Sequence, residues 1–192
     1  MKHLLLLLIA STAYADSWFL APTTGLVFPS SSHVLYHGYS GSVDYRTGYA
    51  QGLQFGRNMG SFKLYIEYQH ENYHARSLTL ATPYGQASQS DSDNSDSSSI
   101  LIGATYGKEF YKGYKLLAGA ACGETFDNST SFFFEPRIGV SKKFYGLDLS
   151  LMYAYRFAQG QERFGLKSNG TYSIVVDRPD QKMLTLSIGK NF

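Results

Sequence analysis

The sequence is poor in cysteine, in charge and in long apolar runs, and each shortage excludes a class of protein. Cys122 is the only cysteine among 192 residues, so no internal disulfide can form. Charged residues make up 17% of the chain, and the formal net charge is +2. This balance gives no electrostatic basis for binding nucleic acid, so we expect no nucleic-acid partner.

Helical membrane proteins are excluded as well. The apolar run from Leu4 to Ala10 is much shorter than the ~20 residues that a membrane-spanning helix needs. No later segment combines helical periodicity with capping residues at its ends. The short run instead follows a basic start, Met1-Lys2-His3, and precedes the small-residue motif Ala13-Tyr14-Ala15. This order is typical of a secretory signal peptide, so we predict a cleaved signal at residues 1–15 and one mature domain at 16–192.

The sequence is rich in aromatic residues and glycine, with 16 Tyr, 13 Phe and 19 Gly, and its apolar residues alternate with polar ones. Between Ser61 and His70 every second residue is apolar, and the same alternation extends from Leu147 to Phe157. Ordinary soluble strands are about five or six residues long. Alternation over ten or more residues instead suits a tilted strand that crosses a bilayer in roughly 9–11 residues.

Eight such strands are predicted, and their connections alternate between short and long. Short turns lie near residues 58–60, 111–113 and 145–146, and long links near 29–47, 75–98, 125–131 and 158–181. Bacterial outer-membrane barrels have short periplasmic turns and longer extracellular loops. We therefore predict an all-β fold, an eight-stranded antiparallel up-and-down transmembrane β-barrel. The alternative is a soluble eight-stranded barrel or sandwich.

The positions of the aromatic residues favour the membrane barrel over the soluble one. Two aromatic groups flank a central aliphatic band, as expected for a wall with an aromatic belt at each bilayer interface. The short-turn belt is predicted from Phe62, Phe110, Tyr111, Tyr114, Phe144, Tyr145 and Phe192, and the long-loop belt from Tyr68, Tyr73, Phe132, Phe134, Tyr153, Tyr155 and Phe157.

Alternation also predicts which side chains point into the barrel. Eight strands leave a lumen just wide enough for side chains, and buried charges are costly unless they are paired. Both signs occur on the inward faces, so we expect one connected polar network inside the barrel; a gated ion path through it is the alternative. The predicted interior network is Lys63, Glu67, Glu109, Glu135, Arg137, Asp148 and Arg156.

The loops contain few chemical motifs. Asp91, Asp93 and Asp96 lack the glycine and the closing glutamate of a calcium loop, and no Gly-x-Ser-x-Gly motif is present. We therefore expect no metal, no cofactor and no catalytic residue. Exposed aromatic residues in the first loop suit contacts with a protein or glycan surface, although packing at the barrel rim is the alternative. These loop residues are Tyr36, His37, Tyr39 and Tyr45.

The segment from Glu135 to Phe157 and the last strand, which ends at Phe192, resemble the small Gram-negative outer-membrane β-barrel family. This porin-like group includes the OmpA transmembrane domain and the OmpX/Ail-type barrels. The resemblance covers residues 16–192. It implies a monomeric integral protein of the outer membrane, in contact with outer-membrane lipid and lipopolysaccharide. Because no catalytic motif is present, we expect no enzyme activity.

The resemblance also implies partners and a role. In the family the terminal strand is the signal for the barrel-assembly machinery, which corresponds here to Leu186, Ile188 and Phe192. Members serve as envelope stabilisers, or bind host surface molecules in adhesion and in resistance to host defence. We expect a structural or surface-interaction role carried by the extracellular loops. A lipid-modifying barrel enzyme and a narrow channel are the alternatives.

Overall fold

A computed structural model describes residues 17–36, 39–82, 85–89, 94–126, 131–168 and 170–192. The predicted signal peptide (residues 1–15), His37, Asp91 and Asp93 lie outside these residues. No helix in the described part of the chain is long and apolar enough to cross a membrane.

The described residues form thirteen strands. In chain order they are β1 (Ser17–Pro29), β2 (Ser32–Tyr36), β3 (Tyr39–Tyr45), β4 (Gly48–Met59), β5 (Phe62–Thr82), β6 (Gly85–Gln89), β7 (Asn94–Tyr111), β8 (Tyr114–Thr125), β9 (Ser131–Phe144), β10 (Leu147–Gln159), β11 (Gln161–Ser168), β12 (Gly170–Asp177) and β13 (Gln181–Asn191).

Eight of these strands close into a barrel, which confirms the predicted fold class. In the order β1, β4, β5, β7, β8, β9, β10 and β13, each strand pairs antiparallel with the next. Strand β13 pairs with β1 and completes the circle. An up-and-down barrel of this kind leaves no free edge in the wall, so the ladder satisfies the backbone groups there without water.

Two-residue turns connect the strands at one end of the barrel, which we call the short-turn end. At Lys112-Gly113 and Tyr145-Gly146 both turn residues have positive φ, between 37° and 82°. Two successive residues with positive φ form the type I′ turn, whose twist matches that of a hairpin.

The wall is apolar outside and polar inside. On β10, Leu151 and Tyr153 are exposed, whereas Ala154 and Arg156 on the opposite face are buried. A soluble barrel would bury its aliphatic side chains inside, so this polarity is that of a wall surrounded by lipid.

Tyr73 departs from the predicted aromatic belt. Its position in the alternation of β5 is that of Glu71, and it is fully buried inside.

At the other end, which we call the hairpin end, the sheet continues into segments that the sequence pattern assigned to loops. Strands β2, β3, β6, β11 and β12 all lie there, and β5 and β7 extend beyond their predicted ends. Strand β3 pairs with the extension of β5, and β6 pairs with the same extension. These segments lack long apolar alternation, which explains why the pattern did not predict strands.

The hairpin end has a small apolar core of its own. Val34, Val43 and Ala75 are buried together, and Leu78 and Leu80 pack against them. These residues come from β2, β3 and β5, so the cluster ties three strands together beyond the wall.

Candidate functional site

A chain of ion pairs crosses the middle of the lumen. Arg137 Nη1 donates to Glu67 Oε2 at 2.7 Å, and Arg137 Nε donates to Glu135 Oε1 at 2.6 Å. The other oxygen of Glu135 accepts from Arg156 Nε at 2.8 Å, and Arg156 Nη1 pairs with Glu71. All five side chains are buried. Strands β5, β9 and β10 supply them from inward positions of their alternation, so the chain spans the lumen between opposite walls.

Neutral groups surround this central network. Tyr65 and Gln54 hydrogen-bond Arg137 and Glu67, at 3.0 and 3.1 Å respectively. Gln69 Oε1 accepts from Arg156 Nη2 at 3.1 Å. The Arg156 guanidinium also lies 4.0 Å from the ring centroid of Phe133. These contacts offset part of the cost of burying the charges of the central network.

The central network has three carboxylates and two guanidiniums. Two buried atoms at its hairpin side, Glu71 Oε2 and Gln181 Nε2, make no hydrogen bond in the described residues. Arg178 lies near this side, because its Nη2 donates to Ser97, which is paired in register with Glu71. Arg178 also donates to Thr125 Oγ1 at 2.7 Å. It thus joins β7, β8 and the segment before β13 at the mouth of the barrel.

Lys63 and Asp148 form a separate ion pair nearer the short-turn end. They line a cavity of about 130 Å³, to which Lys115, Lys143 and Asn58 also contribute. The structure thus places two of the predicted interior residues apart from the central network.

Glu109 does not join either group. Its side chain is exposed, and its Oε1 accepts from the backbone N–H of Gly113 at 3.0 Å. The register of the β7–β8 pair shifts between Glu109 and Tyr111, next to the turn that joins the two strands. Glu109 therefore lies at the rim and caps a turn, although its position in the alternation pointed inward.

The predicted terminal residues lie on the wall. Leu186, Ile188 and Phe192 are exposed on the outward face of the last strand. The backbone of Phe192 exchanges two hydrogen bonds with Trp18, at 3.0 and 3.1 Å. The last residue is therefore joined to the first strand. Recognition of this strand by the assembly machinery stays a prediction.

The predicted loop residues are partly described. Tyr36 and Tyr39 pair with each other in the β2–β3 hairpin, and their side chains are not described. Tyr45 is half-buried, and its hydroxyl donates to Ser32 Oγ at 3.2 Å. Its ring packs edge-on against Tyr73 with centroids 5.6 Å apart. Tyr45 therefore packs at the rim, in line with the alternative that we gave for it.

One contact on the outer face of the barrel brings a serine hydroxyl next to a histidine ring. Ser98 Oγ lies 3.2 Å from His70 Nδ1, and it accepts a hydrogen bond from the Tyr68 hydroxyl at 3.3 Å. All three side chains are on the outward face near the hairpin end. No carboxylate hydrogen-bonds His70 within the described residues, and no three His, Cys, Asp or Glu side chains there form a metal-binding group.

The sequence pattern missed several members of the interior. Gln69 lies within the predicted strand, on the same face as Glu67, although it was left out of the predicted network. Glu71 continues this alternation, so extending the strand by one residue beyond His70 would have found it. Gln181 is the first residue of β13, so no residues of the strand precede it to show the alternation that would place it. Arg178 lies between two strands, where no periodicity exists to place it.

Comparison with known proteins assigns the fold. No protein-family model and no curated protein matches the chain. The crystal structure of Neisserial surface protein A (NspA) is similar, with a TM-score of 0.57 at 14% identity, over 92% of this chain and 97% of that one. The outer-membrane protein OprG from Pseudomonas aeruginosa also has a TM-score of 0.57, at 13% identity and the same coverage. The chain has the fold of the small outer-membrane β-barrels.

Proposed function

We propose that the protein resides in the outer membrane of a Gram-negative bacterium, where the barrel is an anchor and the hairpin end binds partners at the cell surface. The apolar outward wall and the similarity of fold to NspA and OprG support the location. Outer-membrane lipid and lipopolysaccharide would then surround the wall, and the assembly machinery would insert it.

The ordered hairpin end is the observation that carries the surface role. An anchor needs only two-residue turns, as at the short-turn end. Here the sheet instead continues beyond the wall around its own apolar core of Val34, Val43 and Ala75. His33, Asp44 and Arg46 are exposed on it. A rigid surface with charges of both signs suits binding to a protein or glycan on a host cell.

The filled lumen argues against the narrow-channel alternative. The central network joins opposite walls, and the side chains that form it are buried. We expect planar-bilayer recordings of the full chain to show no steady, large conductance. Such a conductance would contradict the anchor role and favour a channel.

Replacing residues 32–45 by a short Gly-Ser turn tests the surface role. We expect the variant to keep the heat-dependent gel mobility of a folded barrel while its adhesion to host cells and its survival in serum fall. Replacing Tyr145-Gly146 by Asn-Gly, at the opposite end, is the matched control and should leave both readouts unchanged. A folded 32–45 variant with full adhesion and full serum survival would refute the proposal.

The Ser98–His70 contact favours a second function, cleavage of an acyl ester in a membrane lipid. A serine hydroxyl beside a histidine base is the minimal arrangement for nucleophilic attack. Lipids extracted from cells with the parent protein, with Ser98→Ala and with no protein separate the two functions. An acyl pattern that changes only with the parent would establish the enzyme, and identical patterns would exclude it.

A further inference from the structure

Basic side chains surround the outside of the barrel near its short-turn end. Arg57, Lys108, Lys142 and Lys190 each lie on the outward face of their strand, a few residues from a short turn or from the last described residue. We call these four residues the basic collar. Arg57 and Lys142 are half-buried, and the other two are exposed.

Among the residues that the structure describes, no acidic side chain lies beside the collar on the outer wall. In the described residues, the acidic groups at this end are Asp148, which points inward and pairs with Lys63, and Glu109, which caps a turn at the rim. The outward charges near the hairpin end are mixed. Lys182 is exposed there together with two acids, Asp96 and Glu124. The wall is thus positively charged at one interface only.

Two members of the collar are held against aromatic rings. The Arg57 guanidinium lies 4.0 Å from the ring centroid of Trp18, and Trp18 stacks on Phe55 with centroids 5.0 Å apart. Lys142 Nζ lies 4.3 Å from the ring centroid of Tyr114 and donates to its hydroxyl at 3.1 Å. Such pairs fix the direction of a long side chain and so lower the entropy cost of binding an anion.

Arg57 has unused hydrogen-bonding capacity. Its Nε and Nη1 are covered by neighbouring side chains and have no hydrogen-bond partner in the described residues. A guanidinium whose donors are unpaired at a membrane interface gains from a nearby anion, because charge-assisted hydrogen bonds are the stronger class.

We propose that the basic collar binds the phosphate groups of anionic phospholipids in the leaflet at the short-turn end, with Arg57 and Lys142 as its two principal sites. The neighbours of Arg57 in the ladder explain why the ligand is a lipid. Arg57 is paired with Trp18 on one side and with Leu64 on the other. A ligand at this position therefore contacts a cation and an apolar wall together, which fits a phosphate joined to acyl chains.

The collar also selects by charge. The collar has four cations and no acidic side chain beside them in the described part of the chain, which favours a headgroup with a net negative charge over a zwitterionic one. This inference rests on the membrane location proposed above, and it adds which lipids the wall retains and at which end.

Native mass spectrometry of delipidated, refolded protein tests the proposal. Phosphatidylglycerol and phosphatidylcholine are titrated separately against the parent, Arg57→Gln and Lys142→Gln. Lys182→Gln is the matched control, because it removes an outward lysine at the opposite interface. We expect the parent to prefer phosphatidylglycerol, each collar variant to lose about fivefold of that binding, and the control to lose none.

Equal binding of the two lipids by the parent would overturn the proposal, as would an equal loss in Lys182→Gln. Displacement of phosphatidylglycerol by millimolar inorganic phosphate would also overturn it and would assign the site to a free anion.

If Arg57→Gln fails to fold, Arg57→Lys keeps the charge and should retain most of the binding. A parent that stays monomeric without detergent refutes the membrane location itself, whereas an inserted barrel without lipid preference refutes only the collar.

Discussion

Replacing Arg156 with leucine should destabilise the folded barrel more than replacing Glu135 with glutamine. Arg156 is fully buried and donates to Glu71, to Glu135 and to Gln69. Both substitutions break the same contact between Arg156 and Glu135. They differ in the charges that they leave behind, and this difference makes the comparison informative.

Without Arg156, the central network has three carboxylates and one guanidinium, and Glu71 loses its charged partner. Removing one member of a buried ion pair costs about 3–5 kcal/mol of unfolding free energy. In Glu135→Gln, two separate pairs remain, Glu67 with Arg137 and Glu71 with Arg156. The loss is then confined to charge-assisted hydrogen bonds, for which we expect about 1–3 kcal/mol.

Reversible urea unfolding in lipid vesicles, followed by tryptophan fluorescence of Trp18, measures both free energies. Glu109→Gln is the control and should change the free energy of unfolding by less than about 0.5 kcal/mol, because Glu109 is exposed. Adding Glu71→Leu to Arg156→Leu should restore part of the loss, since the unpaired carboxylate is removed. The reasoning fails if Arg156→Leu costs under about 1 kcal/mol, or if Glu135→Gln costs as much.

Three further changes test the wall, the interior packing and the terminal strand. Leu151→Arg places a cation on the lipid face and should cost about 2–4 kcal/mol in vesicle unfolding if Leu151 lies near the bilayer midplane; unchanged stability would mean that this face does not meet lipid. Gly103→Ala would place a Cβ 2.4 Å from Cζ of Tyr65. Because overpacking costs about 1–3 kcal/mol, it should destabilise the barrel more than Gly107→Ala, whose nearest contact would be 3.0 Å; equal losses would contradict the packing argument. Deleting Phe192 should slow insertion in cells, measured by pulse-chase with heat-dependent gel mobility, and normal kinetics would remove its role in assembly.

The sequence was sufficient to predict the wall because a membrane barrel imposes opposite environments on successive residues. Leu151 and Asp148 are on opposite faces of β10 for this reason alone, and no long-range contact is needed to assign them. The same rule placed Glu67, Glu135 and Arg137 inside the barrel.

Pairing inside the lumen could not be predicted in this way. Arg137 and Glu67 are 70 positions apart, and their contact depends on how the strands are staggered around the barrel. The alternation of a strand indicates whether a side chain points into or out of the barrel, but not how far along the barrel axis it lies. It could therefore not separate Lys63 and Asp148 from the central network. The same limit applies to Glu109, which is still paired in register with Lys115 but lies at the rim, beyond the central network.

The strands of the hairpin end were not predicted, for a different reason. Once the sheet leaves the bilayer, both of its faces meet water or a small local core, and the apolar alternation is lost. Val34 and Val43 are the core members of β2 and β3. Val34 lies between His33 and Leu35, and Val43 lies between Ser42 and Asp44, so neither strand shows a long apolar alternation. Their burial depends on contact with Ala75, which is distant in the sequence.

The distribution of polar groups supports the surface role that we propose for the hairpin end. Paired side chains cross the lumen, the outer wall is apolar, and the short-turn end consists of tight turns. The hairpin end is the part that combines exposed charged groups with a fixed backbone. Val34, Val43 and Ala75 pack β2, β3 and β5 together, and the backbone N–H of Arg46 donates to the carbonyl of His74. The exposed residues Asp44 and Arg46 are therefore attached to a packed sheet. Binding there would cost less conformational entropy than binding by a flexible loop, so disrupting this core with Val43→Ser should weaken adhesion without changing the barrel.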